Sequence, residues 1–201
     1  MIKEVLLATR NDGKIKEFTT LLSPIFERVI SLRELDSIPD IVEDRNSFKE
    51  NALKKARSIS GLAKRVTLAD DSGLEVDALD GRPGVFSARY AGESATDKEN
   101  IKKLLSELSG VADRQARFVC TLALVWPSGR EIVVEGRCEG IIIDDPRGEN
   151  GFGYDPVFFV PHMKKTMAEL MPEEKNTISH RGEAVKKLIM CLNKLGISKK
   201  R

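Results

Sequence analysis

In the run Leu68-Ala-Asp-Asp-Ser-Gly-Leu-Glu-Val-Asp-Ala-Leu79 an apolar, strand-like stretch carries two adjacent carboxylates, a hydroxyl and a glycine. These residues make a poor core and a good metal-binding edge. Neighbouring side chains of an extended segment point to opposite faces, so Asp70 and Asp71 reach one pocket only if the strand ends between them. Leu68, Leu74 and Val76 share the parity of Asp70, whereas Asp71, Glu75 and Asp77 fall on the other face. A straight strand then has one apolar and one acidic face, which assigns an outward, cation-binding role to Asp71 and leaves Asp70 held by hydrogen bonds near the sheet. The competing reading is a plain turn, since Asp, Ser and Gly are common turn residues. The other polar clusters of the chain favour the ligand.

The first of these, Thr9-Arg-Asn-Asp-Gly-Lys14, offers backbone N–H groups, a helix N-terminus and a cation to an anionic group such as phosphate. It is not a P-loop, because it has one glycine and Ile15 follows Lys14; its other reading is an ordinary capped turn. Glu43 and Lys55 taken singly are solvated charges. Glu43 gains interest as a second carboxylate that joins Asp71 around magnesium, an ion that takes few protein carboxylates and fills the remaining positions with water and phosphate oxygens. In Gly148-Glu-Asn-Gly-Phe-Gly-Tyr-Asp155 the glycines let the backbone approach a flat ligand, with an aromatic ring for stacking and Asp155 as acceptor or loop organiser. The same segment also reads as a bend with its aromatics turned into the core. In Lys175-Asn-Thr-Ile-Ser-His-Arg181, Ser179 caps a helix and His180 and Arg181 occupy its first turn. Cations there oppose the helix dipole unless they serve a bound anion or base edge.

The elements that position these clusters follow from periodicity. Val5 to Ala8 reads as a buried strand, Ile15, Phe18, Leu21 and Leu22 as a helix face, and Val29-Ile30 as a second strand. A loop from Leu32 to Asn46 precedes the capping-box pattern Ser47-Phe-Lys-Glu50 and a helix carrying Ala52, Leu53, Ala56 and Ile59 on one face. Val66 to Asp70 returns as a strand. Thr96-Asp-Lys-Glu99 opens a helix, Arg117 to Trp126 and Glu131 to Cys138 form a hairpin, Gly140 to Asp144 and Pro156 to Val160 are further strands, and a last helix spans about Ser179 to Leu195. Each cluster lies at the end of an element, where α/β proteins gather ligands. Alternating strands and helices joined by a hairpin predict a mixed, partly parallel sheet in a single α/β domain over residues 1–201, in two lobes.

The 201 residues suffice for one substantial core. A net charge of +2 gives no argument for a nucleic-acid or membrane partner, and Lys199-Lys-Arg201 reads as a solvated tail. Cys120, Cys138 and Cys191 are odd in number and far apart, so they form neither a disulfide framework nor a zinc site and read as reduced, buried thiols. The start has no apolar region of signal-peptide length and no run approaches membrane-spanning length. The expectation is a cytoplasmic protein.

Together the residues resemble the pyrophosphatases of non-standard purine nucleoside triphosphates, typified by the inosine triphosphate pyrophosphatase family. The resemblance covers nearly the whole chain and rests on Thr9-x-Asn11-x-x-Lys14, Phe48-x-Glu-Asn-Ala52, Ala69-Asp-Asp-Ser-Gly73, Gly84-Val-Phe-Ser-Ala-Arg-Tyr90, Gly151-Phe-Gly-Tyr-Asp-Pro156 and Ser179-His-Arg181. It implies a long mixed β-sheet dividing two α/β lobes with the active site in the cleft, a homodimer, and magnesium-dependent hydrolysis of ITP, dITP and XTP to the monophosphate and pyrophosphate.

Carried over by position, the resemblance implies that Thr9, Arg10, Asn11, Asp12, Gly13 and Lys14 hold phosphates, with backbone contacts rather than side chains at Arg10 and Asp12. Glu43 and Asp71 serve the metal and Asp71 accepts the proton. Ser72, Lys55 and Arg89 contact substrate, Phe152, Gly153, Tyr154 and Asp155 pack against and orient the purine, and Lys175, His180 and Arg181 read its edge. The 6-keto oxygen of hypoxanthine or xanthine accepts from such donors, whereas the amino group of adenine leaves them unpaired. The alternatives are a diphosphatase for modified pyrimidine or methylated nucleotides, and a nucleotide sensor without turnover. A sensor is expected to lack a metal carboxylate or a phosphate cation.

Overall fold

A computed structural model describes residues 3–35, 38–39 and 41–197, and the basic run Lys199-Lys-Arg201 lies outside these. Strands β1 (Glu4–Leu7), β2 (Arg28–Ser31), β3 (Thr67–Val76), β4 (Gln115–Val125), β5 (Glu131–Ile142), β6 (Phe158–Val160) and β7 (Lys165–Thr166) form one sheet in the order β2-β1-β3-β4-β5-β6-β7. β1 runs parallel to β2 and β3, whereas β6 is antiparallel to β5 and β7, so the sheet is mixed. Parallel neighbours need crossover connections. Helices α1 (Asp12–Leu22) and α2 (Phe48–Ala63) supply them, and α3 (Asp97–Glu107), α4 (Pro172–Ile178) and α5 (His180–Lys194) complete the α/β fold.

The backbone groups into two compact units. The first is drawn from Met1–Asp71, Cys120–Gly136 and Arg181–Arg201. Alternate residues of its strands enter two cores: Val5, Leu7, Leu68, Cys120 and Leu122 pack with Phe18 and Leu22 of α1 and Val185 and Leu188 of α5. Leu6, Ala8, Ala69 and Ala123 pack with Ala52, Ala56 and Ile59 of α2. The second unit, Ser72–Val119 and Arg137–His180, buries Leu74, Val76, Leu104, Phe118, Tyr154, Phe158 and Leu170 together.

Most predicted elements are present, with altered bounds. The strand expected to end at Asp70 continues to Val76 because both aspartates find partners, described below. Gly140 to Asp144 is not a separate strand. β5 runs unbroken through Gly140, where a side chain would meet Phe158 Cε1 at 2.5 Å, so that glycine serves close packing and not a break. The Thr96 capping box is complete, with Glu99 accepting from the Thr96 N–H at 2.7 Å. At Ser47 only half forms: the hydroxyl accepts from the Glu50 N–H, but the Glu50 carboxylate accepts from that hydroxyl instead of reaching the Ser47 N–H. Strand β7 and helix α4 are additions too short to show periodicity.

Among the described residues no helix is long and apolar enough to cross a membrane. The three cysteines are unbridged; Cys120 and Cys138 are buried as expected, but Cys191 is only half-buried. Burial, reinforced by Glu139 and Asp155, pushes the Cys138 thiol up to about 11, and the thiolate is the reactive form. Native-state alkylation followed by peptide mass spectrometry is therefore expected to label Cys191 first, with Cys120 and Cys138 labelled only after denaturation.

Candidate active site

Strand β3 places Asp70 and Asp71 on opposite faces of the sheet, as the parity of Leu68 and Ala69 requires. The face of Asp71 is not the open acidic one that strand parity suggested, because α2 covers it and both residues are buried. The Asp70 carboxylate is ion-paired with the Lys14 ammonium of α1 at 2.8 Å. Burial alone would raise its pKa, but Lys14, Lys55 and Arg181 outweigh that and hold the carboxyl well below the usual range.

Asp71 behaves in the opposite way. Burial and the negative charge of Glu43 push it up to about 6, against the opposing pull of Lys14, Lys55 and a hydrogen bond from Asn51 Nδ2 at 3.0 Å. Lys55, on the buried side of α2, is an ion-pair partner of Glu43. Burial favours its neutral form, yet Asp70, Glu43 and Asp71 together raise its pKa. Asp70, Asp71, Glu43, Lys14 and Lys55 thus form one electrostatic cluster.

The turn into α1 has two kinds of residue. Asn11 caps the helix by accepting from the Lys14 N–H at 2.9 Å, and Thr9 Oγ1 accepts from the Asn11 N–H at 3.2 Å. The side chains of Arg10 and Asp12 are engaged elsewhere, Arg10 with the carbonyls of Leu32 and Ile38 and Asp12 with Arg33. Arg181 Nη1 donates to Glu17 Oε2 at 2.9 Å, both largely buried. This pairing offsets the charge that α5 carries in its first turn.

In the second unit a buried ion pair joins Asp155 to Lys175 at 2.5 Å. Asp155 also accepts from the Phe152 N–H at 2.9 Å, and the Lys175 ammonium lies 5.3 Å from the centroid of the Phe152 ring. A side chain at Gly151 would come within 2.0 Å of the same carboxylate, at a φ of +80° that already favours glycine. Of the two aromatics, Phe152 stays partly exposed and Tyr154 enters the core, its hydroxyl donating to the Ser87 carbonyl at 2.9 Å. His180 is buried and stacks on Phe118 at 4.8 Å. Arg89 pairs with Glu93 at 3.5 Å, and Ser72 lies within β3 beside Asp71.

Residues not singled out by sequence reasoning also shape these clusters. Asn51 contacts Asp71 directly, and its signal was its place in the Phe48-x-Glu-Asn-Ala52 motif. Asp97 accepts from the Gly153 N–H at 2.7 Å, and Ser87 accepts from the Leu74 N–H at 2.8 Å. Ser87 lies in the Gly84 to Tyr90 motif and Asp97 in the Thr96 capping box, but neither pattern marks the contact its side chain makes.

The two aspartates carry opposite stability signatures. Asp70 has a lowered pKa, so its contribution is present above the unfolded carboxylate range and is lost as pH falls. Asp70→Asn removes the counter-charge shared by buried cations and is expected to lower unfolding free energy by about 3–5 kcal/mol near neutral pH. Asp71 has a folded pKa above its unfolded value, so stability falls as pH rises from about 4 through about 6, by roughly 2–3 kcal/mol in all. Asp71→Asn is expected to raise the melting temperature near pH 8 in metal-free buffer and to change it little near pH 4. Thermal unfolding at the two pH values checks both.

Comparison with known proteins agrees with the motifs. A model described as the Ham1 family matches residues 5–191. The chain is 51% identical over 196 residues to the dITP/XTP pyrophosphatase of Desulforamulus reducens, covering 96% of this chain and 98% of that one. It is 54% identical over 189 residues to the dITP/XTP pyrophosphatase of Geobacillus kaustophilus, covering 93% of each. Among solved structures, the Ham1 protein of Staphylococcus aureus matches with a TM-score of 0.85 at 44% identity, covering 96% of this chain and 99% of that one. A HAM1 protein from Coxiella burnetii matches with a TM-score of 0.86 at 45% identity, covering 96% and 100%. With its motifs, its fold and near-complete alignment all in agreement, the chain belongs to the Ham1 family.

Proposed function

We propose that this protein hydrolyses ITP, dITP and XTP to the nucleoside monophosphate and pyrophosphate, clearing deaminated purines from the nucleotide pool. The observation that carries the reading is the cluster of Lys14, Lys55, Glu43, Asp70 and Asp71 on α1, α2, β3 and the loop ahead of α2, in a chain aligned end to end with relatives named dITP/XTP pyrophosphatases.

Magnesium fits the donor set. Glu43 and Asp71 are hard oxygen ligands whose mutual repulsion is part of what raises Asp71, and magnesium binds through one or two carboxylates together with substrate phosphates and water. When bound, the ion neutralises charge on the leaving pyrophosphate. The protein supplies the rest by positioning and electrostatics. Lys14 and Lys55 bring cations to the phosphates, and the N-terminus of α1 presents backbone N–H groups. Between the aspartates, Asp70 is a poor base because cations hold it ionised, which leaves Asp71 as the assigned proton acceptor.

The second unit is assigned the base. Phe152 offers a partly exposed ring, Gly153 a close backbone, and Tyr154 and Asp155 keep the loop in place. Lys175 and His180 are assigned to the purine edge, and Ser72 and Arg89 to further substrate contacts. A homodimer and a cytoplasmic location accompany this reading, the latter supported by three unbridged thiols.

Pyrophosphate release tests the proposal. ITP and XTP with magnesium are expected to turn over, with ATP disfavoured by about 10⁴ in kcat/KM, and chelation is expected to stop the reaction. No release from ITP or XTP would falsify it. A binding readout accompanies the assay: magnesium is expected to raise the melting temperature of the wild type near pH 8 and to leave Asp71→Asn unmoved.

A further inference from the structure

The loop that bears Glu43 has no regular secondary structure from Ile41 to Asn46. One face of α2 orders it. Asn51, Lys54 and Lys55, spaced at i, i+3 and i+4, all reach it: Lys55 pairs with Glu43, and Lys54 Nζ donates to the Val42 carbonyl at 2.8 Å and to Asp44 Oδ1 at 2.7 Å. Asn51 does more than its neighbours. Its Oδ1 accepts from the Arg45 N–H at 2.9 Å, while its Nδ2 donates to the Arg45 carbonyl at 3.3 Å and to Asp71 Oδ2 at 3.0 Å.

One side chain, 2% exposed, therefore clamps both backbone groups of a residue two positions from Glu43 and also holds a carboxylate oxygen of Asp71. A buried amide satisfied at both ends admits few other arrangements, since any shift leaves one of its own polar groups unpaired. On the basis of the function proposed above, we infer that Asn51 is a positioning residue that sets the separation and orientation of the two carboxylates offered to the divalent cation, Glu43 through the Arg45 backbone and Asp71 directly. It contributes no charge and acts through Asp71 and the Arg45 backbone. The adjacent helix positions explain why the loop needs no strand or turn of its own.

The chemistry favours an amide at this position. A carboxylate at residue 51 keeps an acceptor for the Arg45 N–H but loses both donors and sets a third negative charge against Asp71. An alanine loses every contact.

The test uses the full chain and Mn²⁺ as the probe, with binding followed by electron paramagnetic resonance in the absence of nucleotide. Asn51→Ala and the uncharged, near-isosteric Asn51→Leu are each expected to weaken Mn²⁺ binding by about 10- to 100-fold, the range typical for removing a group that orients a metal ligand. Ser60→Ala, which removes a buried hydroxyl bonded to the Arg65 carbonyl elsewhere on α2, is expected to leave affinity unchanged. Limited trypsin digestion reads the loop itself, with faster cleavage after Arg45 expected in Asn51→Ala than in the wild type. If the alanine variant does not fold, the leucine variant carries the measurement.

Wild-type Mn²⁺ affinity in a folded Asn51 variant overturns the inference while leaving the proposed function standing. A wild type that binds no Mn²⁺ and releases no pyrophosphate from ITP overturns both. Turnover in Asn51→Ala that recovers as magnesium is raised, with the KM for ITP little changed, supports positioning of the metal ligands over general structural damage.

Discussion

Two adjacent carboxylates buried inside one strand are the constraint around which the first unit is organised. Strand geometry sends them to opposite faces, so the groups bonded directly to each differ, although Lys14 and Lys55 act on both through space. On the face of Asp70 the answer is charge, from Lys14 at the start of α1 with Arg181 at the start of α5. On the face of Asp71 it is a neutral amide, Asn51 of α2, with a second carboxylate nearby. The first site is a buried ion pair and the second an acid kept poised. This asymmetry separates two residues that look alike in sequence.

The second unit reaches a similar end by other means. Its glycine-rich loop is ordered by a buried ion pair, Asp155 with Lys175, into which Gly151 fits because it has no side chain. Tyr154 ties the loop to Ser87, and Ser87 in turn accepts from Leu74 of β3. Loops of this kind are held by side chains that close polar groups off from water. Both readings of the segment thus hold in part: Tyr154 is a core residue, while Phe152 keeps an accessible ring.

Much of the fold was legible because periodicity reports burial. The apolar spacing of α1, α2, α3 and α5, the apolar run of β4 and the Thr96 capping box all reflect local geometry that a linear pattern encodes. Boundaries failed where a long-range partner overrode the local signal. Acidic residues read as a strand end at Asp70 because the sequence does not display Lys14 and Asn51 beside them, and Gly140 read as a break because the ring of Phe158 that it accommodates is remote in sequence. Short elements such as β7 and α4 fall below the length at which periodicity has meaning.

For the candidate site the division is similar. The sequence alone determined which residue types were available, that Asp70 and Asp71 face apart, and, through motifs in register, which family the chain resembles. Only the tertiary structure decided which aspartate is paired and which is raised, that the side chains of Arg10 and Asp12 are occupied with Leu32, Ile38 and Arg33, and that Asn51 joins the Glu43 loop to β3. The physical reason is that parity, propensity and capping are properties of neighbours along the chain. Charge compensation and dielectric environment depend on groups brought together from α1, α2, β3 and α5, and that juxtaposition exists only once the chain has folded.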